Sequence, residues 1–275
     1  MTRFVPTSID ELREAIGAAL AAEEPVELVA GGSKRGLGRP LQTPHVVDLT
    51  RLSGIRDYAP SELVLTAGAA TPLTAIDRAL NAAGQMLAFE PPDWRGLLGQ
   101  VHGSQTLGGV IACNLSGPRR IKSGAARDHF LGFTAVSGRA EAFKAGGKVV
   151  KNVTGYDLPK LMAGSYGTLA AFAEVTVKVL PRPETTATVL ICGVAPEGAV
   201  RLMSAALGSP HEVSGAAYLP PGTPRPSSLP SATGVVALRV EGPAPSVDYR
   251  REALLRELAE GGQPTMLGEA DTAAL

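Results

Sequence analysis

The segment AGGSKRGLGRP, Ala30 to Pro40, is the part of this 275-residue sequence best suited to holding an anion. Glycines lack Cβ atoms, so successive backbone N–H groups can turn toward one point and form a nest for negative charge. Lys34, Arg35 and Arg39 add side-chain charge of the complementary sign. The order is not the GxxxxGK[ST] of a P-loop. The residues that follow read as strand rather than helix, so a Rossmann GxGxxG turn does not fit either. Taken alone, the loop reads equally as an anion nest or a surface turn.

Two further clusters bear on that choice. QTLGGVIACNLSGP, Gln105 to Pro118, places Thr106, Leu107, Gly108 and Gly109 at the start of a short helix. Its first N–H groups are expected to be free and its dipole end positive. NVTGYDLPKLMAGSYGTLAAFAEVTVKVLP, Asn152 to Pro181, places Gly164, Ser165, Gly167 and Thr168 in a loop ahead of a buried strand. Three separated glycine-rich turns suggest one long ligand lying across one domain.

Catalytic groups are harder to assign. His102 and His129 lie in the same half of the chain, but no partner pattern accompanies either, and both read as structural or exposed. His45 and His211 have less context still. The basic run Arg119, Arg120 and Lys122 reads as a solvated loop rather than a carboxylate clamp. Cys113 and Cys192 are far apart with no CxxC spacing, so neither a disulfide framework, a metal site nor an iron–sulfur ligand set is expected. No residue is assigned a catalytic role.

The elements that must position these loops follow from periodicity. Ser8 and Glu11 form a capping-box pair, and Leu12, Ile16, Ala19 and Leu20 recur at helical spacing. Val26–Ala30 and His45–Leu49 read as strands flanking the glycine loop, as do Ile55–Tyr58, Leu63–Ala67 and Met86–Phe89 further on. Thr71-Pro72 opens a helix with Leu73, Ile76 and Leu80 on one face. Short helices are expected at Leu107–Asn114 and Asp157–Ala163. Ser137-Gly138 turns a hairpin, and Phe172–Leu180 alternates as a strand. Pro181 and Pro183 mark the expected boundary. Beyond them strand, helix, strand, a Pro/Ser linker from Pro220 to Ser231, strand and helix follow, with Thr265–Leu267 starting a last strand. That order is βαββα(β), a ferredoxin-like module.

Lys plus Arg equals Asp plus Glu at 26 each, which argues against nucleic-acid binding. The first residues lack the apolar stretch of a secretory signal, and no apolar run is long enough to span a membrane. The expectation is a cytoplasmic protein.

The three clusters, their order, and the linking segment GAARDHFLGFTAVSGRAEAFKAGGKVVKNVTGYDL resemble the FAD-binding domain of the vanillyl-alcohol-oxidase (PCMH) type. The likeness is strongest to the FAD-binding E subunits of bacterial glycolate oxidase (glycolate dehydrogenase) complexes, and covers roughly Val5 to Pro183. It implies an α+β fold: a PCMH-type FAD-binding domain of two α+β subdomains, residues 1–183, then a small ferredoxin-like (βαββα) cap at 184–275, shortened at the C-terminus. It implies FAD as cofactor, with Gly31, Gly32, Ser33, Lys34, Arg35 and Gly36 holding the pyrophosphate. Pro92, Thr106, Leu107, Gly108 and Gly109 would run along pyrophosphate and flavin. Gly124 and Asp128 would form a turn near the cofactor, and Gly164, Ser165, Gly167 and Thr168 would line its adenine and ribose side. Covalent members carry His in or beside the first loop; Ser33 and Lys34 stand here, so attachment is expected to be noncovalent. The third loop reads GSYG where catalytic relatives commonly have GSEG. The resemblance further implies an FAD-dependent oxidoreductase acting on 2-hydroxy acids within a complex. Its partners would be a related FAD-containing catalytic subunit and an iron–sulfur subunit, with attachment at the inner membrane only through those partners. A stand-alone FAD enzyme and a non-catalytic assembly module remain the alternatives.

Overall fold

The structure is a computed structural model and describes residues 2–100, 102–149, 155–225 and 229–267. Asn152, with which the third motif opens, and the end of the chain at Leu275 lie outside the described residues. The chain divides into two compact units, Met1–Gly117 with Gly124–Pro181, and Pro118–Ser123 with Arg182–Leu275.

The first unit opens with β1 (Thr2–Phe4), α1 (Ile9–Ala21), β2 (Val26–Val29) and β3 (His45–Asp48). These three strands form a parallel sheet in the order β1-β3-β2. Ser8 caps α1 by accepting from the Glu11 N–H at 3.2 Å. The return half of the box is displaced by one residue: the Glu11 carboxylate accepts from the N–H and hydroxyl of Thr7, not from Ser8. Leu12, Ala15, Ile16 and Ala19 are buried against Val47 and Leu49, whereas Leu20 lies off that face and is exposed.

The unit continues with β4 (Ile55–Ala59), β5 (Val64–Gly68), α2 (Leu73–Ala82), β6 (Gln85–Met86) and α3 (Leu107–Cys113). After α4 (Arg120–Ser123) come α5 (Ala126–His129), β7 (Phe130–Ser137), β8 (Ala142–Gly146), α6 (Leu158–Met162), β9 (Ala170–Lys178) and β10 (Leu180–Pro181). A five-stranded antiparallel sheet runs β4-β5-β9-β7-β8. Its core joins Leu65, Val175 and Val177 to Ile76 and Leu80 of α2 and to Leu107, Val110 and Ile111 of α3. The expected strand at Met86–Phe89 is only Gln85–Met86, paired with β10. Leu87, Ala88 and Phe89 are buried without joining a ladder. Their apolar run signals burial, which a short segment satisfies in several conformations.

The second unit contains β11 (Thr185–Cys192), α7 (Pro196–Gly208), β12 (Gly215–Leu219), β13 (Val235–Gly242), α8 (Ala244–Glu257) and β14 (Gln263–Met266). The antiparallel order β12-β13-β11-β14 completes the βαββαβ, ferredoxin-like pattern. Helix α4 belongs to this unit: Arg119 forms an ion pair with Glu241 of β13, and Lys122 pairs with Glu212 at 3.1 Å. The fold is mixed α and β, with a three-stranded parallel and a five-stranded antiparallel sheet in the first unit and one ferredoxin-like sheet in the second.

Candidate functional site

The first glycine loop leaves the C-terminal end of β2. Gly31 is pressed against the 103–104 segment: the Ser104 N–H donates to the Gly31 carbonyl at 2.9 Å, and a Cβ at Gly31 would overlap the Ser104 carbonyl. Gly32 takes the left-handed backbone, φ +70°, which turns the chain back over β2. The Arg35 N–H closes onto the Gly32 carbonyl and the Leu37 N–H onto that of Lys34. The parallel bridge between Gly32 and Ser104 sets the Ser33 N–H against the Ser104 carbonyl, whereas the N–H groups of Gly32 and Lys34 have no acceptor among the described residues. They are free to serve an anion.

A cavity of about 490 Å³ in the first unit opens beside this loop. Lys34, Arg35, Arg39 and Glu27 supply its charge. The Arg35 guanidinium is engaged by Glu27 through a two-point ion pair, Nε to Oε1 at 2.7 Å and the terminal nitrogen to Oε2 at 2.9 Å. Lys34 has only the Ser33 hydroxyl, at 3.1 Å, and no carboxylate partner among the described residues. Burial pulls its ammonium below the ordinary lysine range, although Cys113 and Asp93 oppose this. Such a desolvated cation gains from a nearby anion. Cys113 faces the same cavity, and burial pushes its thiol up against the pull of Lys34.

Helix α3 differs from expectation. Its N-terminal N–H groups are not free: Leu107 donates to Thr71 at 3.0 Å, Gly108 to Ala69 at 2.8 Å and Gly109 to the Thr106 hydroxyl at 3.3 Å. The Thr71 and Ala69 acceptors lie 36 and 39 residues before their donors, pairings that local sequence does not carry, whereas the Thr106 hydroxyl is a local N-cap. What α3 presents instead is bare backbone. A Cβ at Gly109 would stand 3.8 Å from the Lys34 ammonium, so its absence leaves room there. Thr106, Gly108, Gly109, Ala112 and Cys113 line the cavity, whereas Leu107 is buried in the core.

The third cluster is a clamp on α3. Gly164 and Tyr166 donate to the carbonyls of Ile111 and Ala112, at 3.2 and 2.8 Å, satisfying the end of that helix. Thr168 bonds back to Ser165 through both N–H and hydroxyl. From this loop only Tyr166 and Gly167 reach the cavity; Gly164, Ser165 and Thr168 do not. Gly36 packs on the Leu98 carbonyl, and the Pro92 carbonyl accepts from Gln105 at 2.7 Å; neither lines the cavity. Asp128 caps α5 by accepting from the Ala125 N–H at 2.9 Å, with Gly124 in left-handed backbone beside it, both outside the lining.

His129 is buried against the Phe89 ring, His45 packs on Phe4, and His211 bonds Glu257 at 2.9 Å. No histidine lines the cavity. Among the described residues no group of His, Cys, Asp and Glu could hold a metal ion. Sequence reasoning missed Cys113, Ala112, Tyr166 and the β2 residues Leu28 and Val29. Gly109, Ala112 and Cys113 share one face of α3 at i, i+3, i+4, so helical spacing from Gly109 pointed to the last two.

Comparison with known proteins matches residues 3–146 to the FAD binding domain family. The glycolate oxidase subunit GlcE of Escherichia coli is 44% identical over 175 residues, 64% of this chain and 48% of that protein. The glycolate oxidase subunit GlcD of Bacillus subtilis is 30% identical over 190 residues, 68% of this chain and 38% of that one. The chain thus aligns with less than half the length of these curated relatives. A solved alkyldihydroxyacetonephosphate synthase superposes with a TM-score of 0.75 at 18% identity, over 97% of this chain and 51% of that one, a likeness of fold.

Proposed function

This chain belongs to the FAD binding domain family, and from that premise we propose that it is the flavin-holding subunit of a 2-hydroxy-acid oxidoreductase of the glycolate oxidase kind. The observation that carries the reading is one cavity lined by the unpartnered N–H groups of Gly32 and Lys34 together with a desolvated Lys34 ammonium that has no carboxylate partner among the described residues. That donor set fits the pyrophosphate of FAD, which supplies the hydride-accepting ring when bound.

In this reading the N–H groups of Gly32 and Lys34 would hold phosphate oxygens, and the Lys34 ammonium would neutralise their charge. Gly109 leaves the space that the pyrophosphate needs. Ala112, Cys113, Tyr166 and Gly167 border the length of the ligand. Attachment is noncovalent: no histidine lines the cavity, and burial keeps the Cys113 thiol protonated at neutral pH. Residues 1–183 form the flavin domain, joined by a cap at 184–275 that also takes in 118–123.

Neither the carboxylate nor the thiol of the lining is a free base. Glu27 is held by Arg35, and Cys113 stays protonated. The base for the substrate hydroxyl and the clamp for its carboxylate then belong to a related flavin subunit, with an iron–sulfur subunit as electron acceptor. No described helix is long and apolar enough to cross a membrane, so membrane attachment in this reading comes through partners. The test is anaerobic glycolate added to the flavin-loaded chain alone and to the chain co-expressed with its partners. Bleaching only in the complex supports a subunit role. Bleaching of the isolated chain would make it a self-sufficient enzyme.

A further inference from the structure

Glu27 has the wrong sign for its place. It is 7% exposed on β2, in the lining of a cavity built to receive an anion, where a carboxylate repels what the site should hold. Both its oxygens engage Arg35 in the parallel fork that guanidinium and carboxylate form best. Arg35 in turn closes the turn through its N–H on the Gly32 carbonyl at 3.3 Å. At the other end of the loop Ser104 holds the Gly31 carbonyl at 2.9 Å. The loop is therefore pinned on both sides, and the free N–H groups of Gly32 and Lys34 lie between the pins.

We infer that Glu27 and Arg35 are positioning residues: their ion pair holds the Gly31–Gly36 loop in its anion-receiving curvature, and the Arg35 guanidinium does not itself bind the ligand. The inference rests on the FAD reading above. A preorganised loop loses no freedom on binding, so the pair contributes affinity without touching the cofactor.

Two substitutions oppose this to a purely electrostatic role. Glu27→Gln removes a negative charge from the cavity and releases Arg35. Coulomb attraction alone then predicts tighter FAD, whereas a positioning role predicts weaker FAD. Arg35→Lys keeps every charge but loses the fork, and Arg35 is half exposed, so the change does not threaten folding. The experiment titrates FAD by fluorescence into wild type, E27Q, R35K and the double variant, with the ligand-free melting temperature recorded for each. Failure of wild type to bind FAD would sink the functional reading itself. With wild type binding, both single variants should lose about ten-fold in affinity, equivalent to about 1.4 kcal/mol. The double variant should lose no more than the worse single one, with R35K melting near wild type. Wild-type or tighter binding by either single variant, or losses that simply add, would overturn the inference.

Discussion

At the scale of single residues, Gly109 and Lys34 separate binding from folding. A side chain at Gly109 meets the capping Thr106 hydroxyl at 3.0 Å, a contact relieved by a few tenths of an ångström, and the flexible end of Lys34 at 3.8 Å, on backbone outside the left-handed region. Gly109→Leu is therefore expected to abolish FAD binding in equilibrium dialysis while the melting temperature changes little. Gly32 is a poorer probe, because its left-handed φ strains any replacement regardless of ligand. Lys34→Ala should weaken FAD by about 2 kcal/mol, the range of a hydrogen bond to a charged group. Burial depresses Lys34, so the folded, ligand-free protein holds fewer protons than the unfolded chain between that lowered value and 10.5. Its stability rises with pH across that window, and FAD affinity falls, because the anion needs the proton that Lys34 gives up. Lys34→Arg, which stays charged, should flatten the affinity profile. A profile unchanged by that substitution would remove Lys34 from the site.

At the scale of elements, each turn has a separate task that local sequence does not reveal. The three glycine clusters and their order were legible, because glycine and Ser/Thr spacing is a local signal. Their division of labour was not. The α3 N-terminus gives its N–H groups to Ala69 and Thr71, and the 164–168 loop gives its own to the α3 carbonyls. These are tertiary pairings between segments far apart in the chain. The Glu27–Arg35 pair was hidden for the same reason, since eight residues separate a strand position from a loop position that the fold folds back. In the cap, Arg119 reaches Glu241 from a segment that precedes β7, a crossing that composition does not show. Burial pushes the Glu241 carboxyl up, but hydrogen bonds from Arg119 and Ser214 outweigh it and hold it below its ordinary value. That stability is present above the unfolded value of 4.5 and is lost as pH falls through the lower folded one. Arg119→Ala leaves the buried Glu241 carboxylate with the longer Arg239 contact at 3.7 Å, and is expected to cost about 2 kcal/mol in urea unfolding and to reduce the acid sensitivity of the second unit.

At the scale of the whole molecule, the ferredoxin-like order of the second unit was readable from alternating and helical periods, whereas the paired sheets of the first were implied by the family resemblance and not by periodicity. The proposed division of catalysis between this chain and others has no such signal, because a base or carboxylate clamp supplied by another subunit would leave no mark here. The central claim is that this chain holds FAD noncovalently, and the most direct measurement is the flavin content of the purified protein after incubation with FAD. A flavin absorbance spectrum near one FAD per chain, with all the flavin in the supernatant after acid precipitation, is the predicted result. A well-folded protein that stays colourless after that incubation, or flavin that precipitates with the polypeptide, would contradict it.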